Sequence, residues 1–402
     1  MRTFSFFVFI IALSFLLAGC SQIKTPVLTV TMSLGEEEWK VLREEIFPIF
    51  EDKYNVKIES YQVESGQLAT KLEALKLAGQ SEIDVFAQDN MNLAVLVNKN
   101  LISDLTNYEN NISKEVLPNL VEACKFGGRL MFMPFRPNVQ IAYYNKEAFD
   151  KYNLNPPENW NELAEVAKIF KVEEARGRIL IKGFGGNPTA TQAYEFILQA
   201  GGRPYSFNDE GCVKAFEFLQ KLSPYLSIES KRAKWDTTND ILARQEAYLA
   251  QNWPFGVVIL VRRYGLEFIK TYSGWQGPAG EFHVIGGDVF GIPKNCKNKE
   301  LALKFIFFMQ TREVQEILVS RLSWPSIRTD AYAEVQDWQK PHFESVKQAL
   351  KRGVFRENIT WWPVYEKYIS EAFREIVMEG APVEETLNKY KEKLEKEKAA
   401  YK

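Results

Sequence analysis

The chain is predicted to be α/β, and three observations predict it. Val27–Met32 alternates with the period of a half-buried strand. Residues 36–54 then place Trp39, Leu42, Ile46 and Phe50 at helical spacing. The alternation of strand and helix continues through Ala87. Such alternation calls for a mainly parallel sheet with helices on both faces. Sheets of that kind bind ligands beyond the carboxyl ends of their strands, so topology alone marks loops 33–38, 61–66 and 88–91 as site candidates.

The remaining elements follow in order. A second strand is predicted at 56–60 and a helix at 68–77, ended by Gly79. The apolar run 83–87 reads as a buried strand with polar Gln88, Asp89 and Asn90 at its tip. Gly127 and Gly128 mark a hairpin turn, followed by 130–134 and a strand at 139–144. Pro156, Pro157 and Asn159 introduce a helix at 160–170, and further helices are predicted at 191–200, 212–222 and 239–248. The Gly/Pro-rich stretch 274–280 precedes strands at 282–285 and 289–292. Residues 299–310 form a strongly apolar helix, and the chain from Phe343 onward is helical, ending in a Lys/Glu-rich amphipathic tail at 387–402.

Ahead of these elements, Arg2, an apolar run from Phe4 to Ala18 and small residues before Cys20 have the layout of a secretory signal. The run is shorter than the roughly 20 residues a membrane span needs. Leu17-Ala18-Gly19-Cys20 resembles the bacterial lipobox. That resemblance implies removal of residues 1–19, lipidation of Cys20, and a tether at 20–26 holding the mature chain outside the cytoplasmic membrane. The competing readings are an ordinary signal peptide or a buried hydrophobic strand.

The 402 residues suffice for two lobes with separate cores. A formal net charge of −2, one unit more negative once Arg2 is removed, offers no basic field to nucleic acid. His283 and His342 lie far apart and lack metal-ligand spacing, so they read as ordinary surface or edge residues, and no cofactor or metal is expected. Cys124, Cys212 and Cys296 contain no CxxC pair; they allow one disulfide of unknown pairing or free buried thiols. No GxSxG, HExxH or Walker motif is present, which argues against an enzyme.

Several blocks in order resemble the family 1 extracellular solute-binding proteins of ABC importers, most closely the trehalose/maltose-binding branch. They are Asp84-Val85-Phe86-Ala87-Gln88-Asp89, Asn100 to Leu105, Gly128 to Pro134 with Ala142-Tyr143-Tyr144-Asn145-Lys146, Pro156-Pro157-Glu158-Asn159-Trp160, Gly286 to Lys294, and Leu322 to Arg328. The resemblance implies a two-lobed periplasmic-binding-protein-like fold of type II, with a ligand cleft between lobes that close on a hinge. Lobe one is expected at 27–136 plus 284–327, and lobe two at 137–283 plus 328–402. The implied function is capture of a carbohydrate, a di- or oligosaccharide, by a monomer that delivers it to ABC permease subunits. A non-sugar solute such as a polyamine or an anion is the alternative, and an extracellular glycosidase using two carboxylates is a lesser one.

A buried sugar needs planar polar partners for its hydroxyls and aromatic faces for its C–H patches. Asp89 falls where sugar-binding relatives place a carboxylate, and equally suits an Asx turn or helix cap. Arg136 serves either a hydroxyl or a neighbouring acid; Asn138 stands where relatives carry Asp. Trp253 and Phe255 fit an aromatic segment facing the cleft, or a core position. Gly287 matches a loop glycine that lets backbone approach the ligand. Asp288 replaces the family's usual Trp with a charge, or caps a turn. Arg356 fits a ligand-binding Arg, and Trp361 with Trp362 occupy the place of an aromatic pair, of which one is expected to face the ligand. Trp324 is a further candidate and Trp275 a lesser one. Glu36, Glu37 and Glu38 suit the first turn of a helix; Glu36, Glu38 and Glu64 are also ligand candidates. Trp39 and Trp160 read as packing residues.

Overall fold

The computed structural model describes residues 25–332 and 335–401; the leader, Cys20 and the start of the tether lie outside the described residues. The strands are β1 (Val27–Met32), β2 (Lys57–Gln62), β3 (Val85–Asp89), the hairpin β4 (Lys125–Phe126) and β5 (Arg129–Leu130), β6 (Met133–Val139), β7 (Ile141–Asn145), β8 (Ile179–Leu180), β9 (Leu249–Asn252), β10 (Ile269–Tyr272), β11 (His283–Gly291) and β12 (Gly353–Phe355). A six-stranded sheet runs β12-β11-β3-β1-β2 with β6 on the other side of β11, and a four-stranded sheet runs β10-β7-β9-β8.

β1, β2 and β3 are parallel, as expected from the helices between them. The sheets as wholes are mixed. β11 runs antiparallel to both β3 and β6, and β7 is antiparallel to β9 and β10. The sequence reading missed this because those strands are joined by turns or long excursions rather than by one crossover helix. It also split β11 in two at Gly286-Gly287, whereas one strand passes through both glycines. The helix expected at 239–248 is Trp235–Ala243. Gln245 is left-handed (φ 55°), which ends the helix, and the apolar residues beyond it pair with β7 as β9.

Among the described residues the core falls into four clusters, of which two are large bodies. One gathers Leu28, Val30, Phe50, Phe86, Phe290 and Phe305; another gathers Phe149, Phe170, Phe196, Trp275, Tyr365 and Leu387. Helix Trp160–Glu174 shows how such a core is fed. Asn159 Oδ1 accepts from Asn161 N and Glu162 N, closing the helix start, and Leu163, Val166, Ala167 and Phe170 fall on one buried face. Burial of each large side chain contributes about 1.5–3 kcal/mol.

β6 and β11 cross between the two bodies side by side. β11 pairs with β12 through His283, Val284 and Ile285, and with β3 through Asp288 to Gly291. β6 pairs along its other edge, with a shift in register at Asp288/Val289 that leaves Phe135 unpaired. Gly287 sits at φ +110° in this pairing, and a Cβ there would lie 2.1 Å from Arg136 O. Its glycine is thus required by the neighbouring strand, and it lies within a strand rather than a loop.

Both histidines are buried, contrary to expectation. His342 Nδ1 shares a hydrogen bond with Thr271 Oγ1, and burial pushes its pKa down to about 4. His283, at the root of β11, has Nε2 2.9 Å from Glu281 Oε1 and Nδ1 3.6 Å from Glu195 Oε1. Burial opposes its charge, but the two carboxylates outweigh it and raise the pKa to about 9. Cys124, Cys212 and Cys296 are free thiols, the first two buried.

Gly287→Ala should lower the free energy of unfolding by at least about 2 kcal/mol in urea titrations. Gly66→Ala, with open space around it, should be neutral or stabilising. The His283 contribution is fully present below its unfolded pKa of about 6.5 and is lost as pH rises through the folded value of about 9. The stability gap between wild type and His283→Gln should therefore narrow across that window in denaturant melts.

Candidate functional site

A cavity of about 730 Å³ opens between the two bodies, over the middle of the β6–β11 pair. Arg136, Pro137, Asn138, Gly287 and Asp288 form its floor. One wall comes from the first body: the start of helix Glu36–Val41, Asp89 at the tip of β3, and the turn at Leu322, Ser323, Trp324 and Pro325. The facing wall holds Asn187, Trp235, Trp253, Phe255, Arg263 and Arg356.

The floor carries a closed charge network. Arg136 Nε donates to Asp288 Oδ2 at 2.6 Å, and Nη1 donates to Glu38 Oε1 at 3.0 Å. Trp324 Nε1 donates to the same Glu38 oxygen at 3.0 Å, and its ring lies 4.2 Å below the guanidinium carbon. Glu38 Oε2 accepts from Gly35 N at 2.7 Å, which pins the helix start to the network. Burial works against the Arg136 charge, but Asp288 and Glu38 overcome it and hold its pKa above the ordinary range.

Arg356 differs. It is 4% exposed, its Nη1 donates to Thr191 Oγ1 at 2.5 Å, and its Nε is buried without a hydrogen-bond partner. The Trp362 ring lies 5.2 Å behind it. Burial lowers its pKa, opposed chiefly by Asp89. Asp89 is shifted up, first by burial and then by Asp288, with Arg356 opposing. Its Oδ1 accepts from Met91 N at 2.8 Å, so it caps the next turn and faces the cavity at once. Asp89 and Arg356 thus present a carboxylate and a guanidinium that are not ion-paired with each other. A group that accepts from one and donates to the other, such as a hydroxyl, satisfies both.

The aromatic surface is built on the opposite wall. Trp253 is nearly buried: Tyr143 donates to its carbonyl at 2.7 Å, and Gly286 packs beneath its ring. Trp235 meets Trp253 at a centroid distance of 5.0 Å and an interplanar angle of 48°. Phe255 starts the short helix that follows.

Of the residues expected from sequence, Glu36, Glu38, Asp89, Arg136, Asn138, Trp253, Phe255, Gly287, Asp288, Trp324 and Arg356 share this one cavity. Three do not line it. Glu64 turns to Ser33 and Gln62 at the end of β2. Trp362 is buried behind Arg356, with Nε1 donating to Glu366, and Trp361 packs on Tyr205. Loop 61–66 therefore contributes nothing to the lining. Asp288 is mid-strand and ion-paired, so it caps no turn. Trp275 is fully buried, and Trp39 and Trp160 pack in the cores.

Sequence reading missed Trp235, Asn187, Ser323 and Arg263. Lys234 N donates to Thr237 Oγ1, a capping pattern that marks Trp235 as the first residue of its helix. Gly185-Gly186-Asn187-Pro188 likewise reads as a helix start. Ser323 is left-handed (φ 53°) after the helix Arg312–Leu322, a position with no signal in its residue type.

Comparison with known proteins places this geometry. The family described as bacterial extracellular solute-binding protein matches residues 45–345. An ABC transporter extracellular-binding protein of Pyrococcus horikoshii is 24% identical over 347 residues, covering 79% of this chain and 80% of that protein. The sn-glycerol-3-phosphate-binding periplasmic protein UgpB of Brucella abortus is 26% identical over 246 residues, 55% of each chain. Among solved structures, maltose-bound MalE3 of T. maritima superposes with a TM-score of 0.79 at 20% identity, over 92% of this chain and 99% of that one. The GacH receptor of Streptomyces glaucescens, solved unliganded and with acarbose, gives 0.78 at 17% identity, over 92% and 98%. The chain belongs to the bacterial extracellular solute-binding proteins: it is an extracytoplasmic solute-binding component of an ABC transporter, with the two-lobed α/β fold of the maltose-binding proteins.

Proposed function

We infer that the solute is a carbohydrate of di- or oligosaccharide size, captured unchanged between the lobes and handed to the permease by a lipid-anchored monomer. We take the lobes to be 27–136 with 284–327, and 137–283 with 328–402. The observation that carries the reading is the pairing of surfaces in one cavity of about 730 Å³. Trp235 and Trp253 lie on one wall with Arg356, while Asp89 and Trp324 lie on the other and Asn138 lies in the floor. Rings suit the C–H faces of a sugar, and a carboxylate beside a guanidinium suits its hydroxyls. The carboxylates lining the cavity (Glu36, Glu37, Glu38, Asp89 and Asp288) nearly balance its guanidiniums (Arg136, Arg263, Arg321 and Arg356), which favours an uncharged solute over a polyamine or an anion. The neighbours solved with maltose and acarbose are consistent with this class.

Isothermal titration against a panel of mono- and oligosaccharides should give heat with at least one sugar. Arg356→Ala should then weaken that sugar by about tenfold or more, because it removes a charge-assisted donor. Heat from a polyamine or a phosphate ester, with silence across the sugars, would replace the reading.

Lipidation at Cys20 has its own test. Full-length protein expressed in a bacterial host should partition into the detergent phase on Triton X-114 extraction, and Cys20→Ser should move it to the aqueous phase. Identical partitioning of the two would remove the anchor.

A further inference from the structure

Behind the aromatic wall lies a cation that the binding account does not use. Lys182 is 1% exposed and does not line the cavity, and its Nζ sits 4.7 Å from the centroid of the Trp235 ring, which does. Three carbonyl oxygens surround the amine: Gln140 Oε1 at 3.0 Å, Gln251 O at 2.6 Å and Gln192 Oε1 at 3.5 Å. That acceptor-only environment matches an ammonium, which has three hydrogens to give and nothing to accept. Gln140 lies in the turn between β6 and β7, so the same amine ties Trp235 to the crossing between the lobes.

The charged side chain facing Lys182 is Glu195, held one step away. Gln251 Nε2 donates to Glu195 Oε1 at 2.6 Å, and Glu195 Oε2 accepts from Val284 N of β11. His283 and Glu281 lie beyond Glu195. Helix Gly186–Gln199 supplies Gln192 and Glu195, β9 supplies Gln251, and helix Trp235–Ala243 supplies the ring.

We propose that Lys182 is a positioning residue that acts through Trp235: its ammonium charges the rear of the indole and so turns the cavity face of that ring away from cationic solutes and toward neutral ones. The ring has one quadrupole, and a cation already held against its back reduces what a second cation gains at its front. This rests on the carbohydrate reading and deepens it, because it names the solutes the wall rejects. Burial also brings the Lys182 pKa down to about 7, so the charge behind the ring titrates near neutrality.

The first test needs no solute. Tryptophan emission of the ligand-free wild type should show a step with its midpoint near pH 7. The step should vanish in Lys182→Met, Lys182→Arg and Trp235→Phe, the last of which leaves the buried network in place. The second test uses choline as a cationic probe at pH 6. Lys182→Met should bind it about threefold to tenfold tighter than wild type, and Lys182→Arg should match wild type. A flat emission profile in wild type, a step that survives in Lys182→Met or Trp235→Phe, or equal choline affinity in wild type and Lys182→Met would each overturn the proposal. Silence across the sugar panel with the emission step intact would fault the carbohydrate reading and leave the role of Lys182 standing.

Discussion

The antiparallel pairing of β6 with β11 is the constraint on which the rest of the molecule depends. Both strands pass from one core into the other, and each leaves the cavity floor as a partly buried stretch between two buried ends. Their mutual hydrogen bonds satisfy the backbone there without a helix or loop covering it. Gly287 allows the close approach, with Arg136 O where any side chain would begin. A cleft between two lobes therefore has a stiff, ladder-bonded base and walls that come from separate cores.

On that base the half-buried Arg136 and the buried Arg356 have opposite fates. Arg136 is held by two carboxylates and a stacked indole, a structural assembly that closes the floor. Arg356 has a neutral hydroxyl as its partner and an orphaned Nε. Leaving a donor unmade in a buried site costs about 1–3 kcal/mol, a cost that Arg136 avoids. Asp288, which looked like a ligand-facing charge in the sequence, is already held by Arg136.

Local periodicity was legible wherever an element was both regular and amphipathic. β1 matched its predicted span, and the helix starting at Trp160 matched its predicted start. Strand direction was not legible, because a strand's residues do not record which neighbour it will meet. The single strand through Gly286-Gly287 looked like two for the same reason: paired glycines read as a break unless the adjacent backbone is known. Fewer than half of the cavity-lining residues were expected from the sequence, several of them, such as Trp253 and Arg356, through a family resemblance. Glu64, Trp361 and Trp362 were misplaced because nearness in sequence to the cleft does not decide which side of a strand or helix faces it. Trp235 was missed when its helix was started four residues late.

The unpaired Phe135 has a consequence for how the floor tolerates change. Asp288 and Phe290 are two apart on β11, yet their partners Arg136 and Met133 are three apart on β6. The surplus residue reconciles an odd interval with an even one, so acid meets base while Phe135 stacks on Phe290 at 4.1 Å beneath them. Shortening the chain by a single residue at this spot would exchange inside for outside along everything downstream in the strand. Away from Gly287, point substitutions along this crossing are therefore tolerable in a way that single-residue deletions are not.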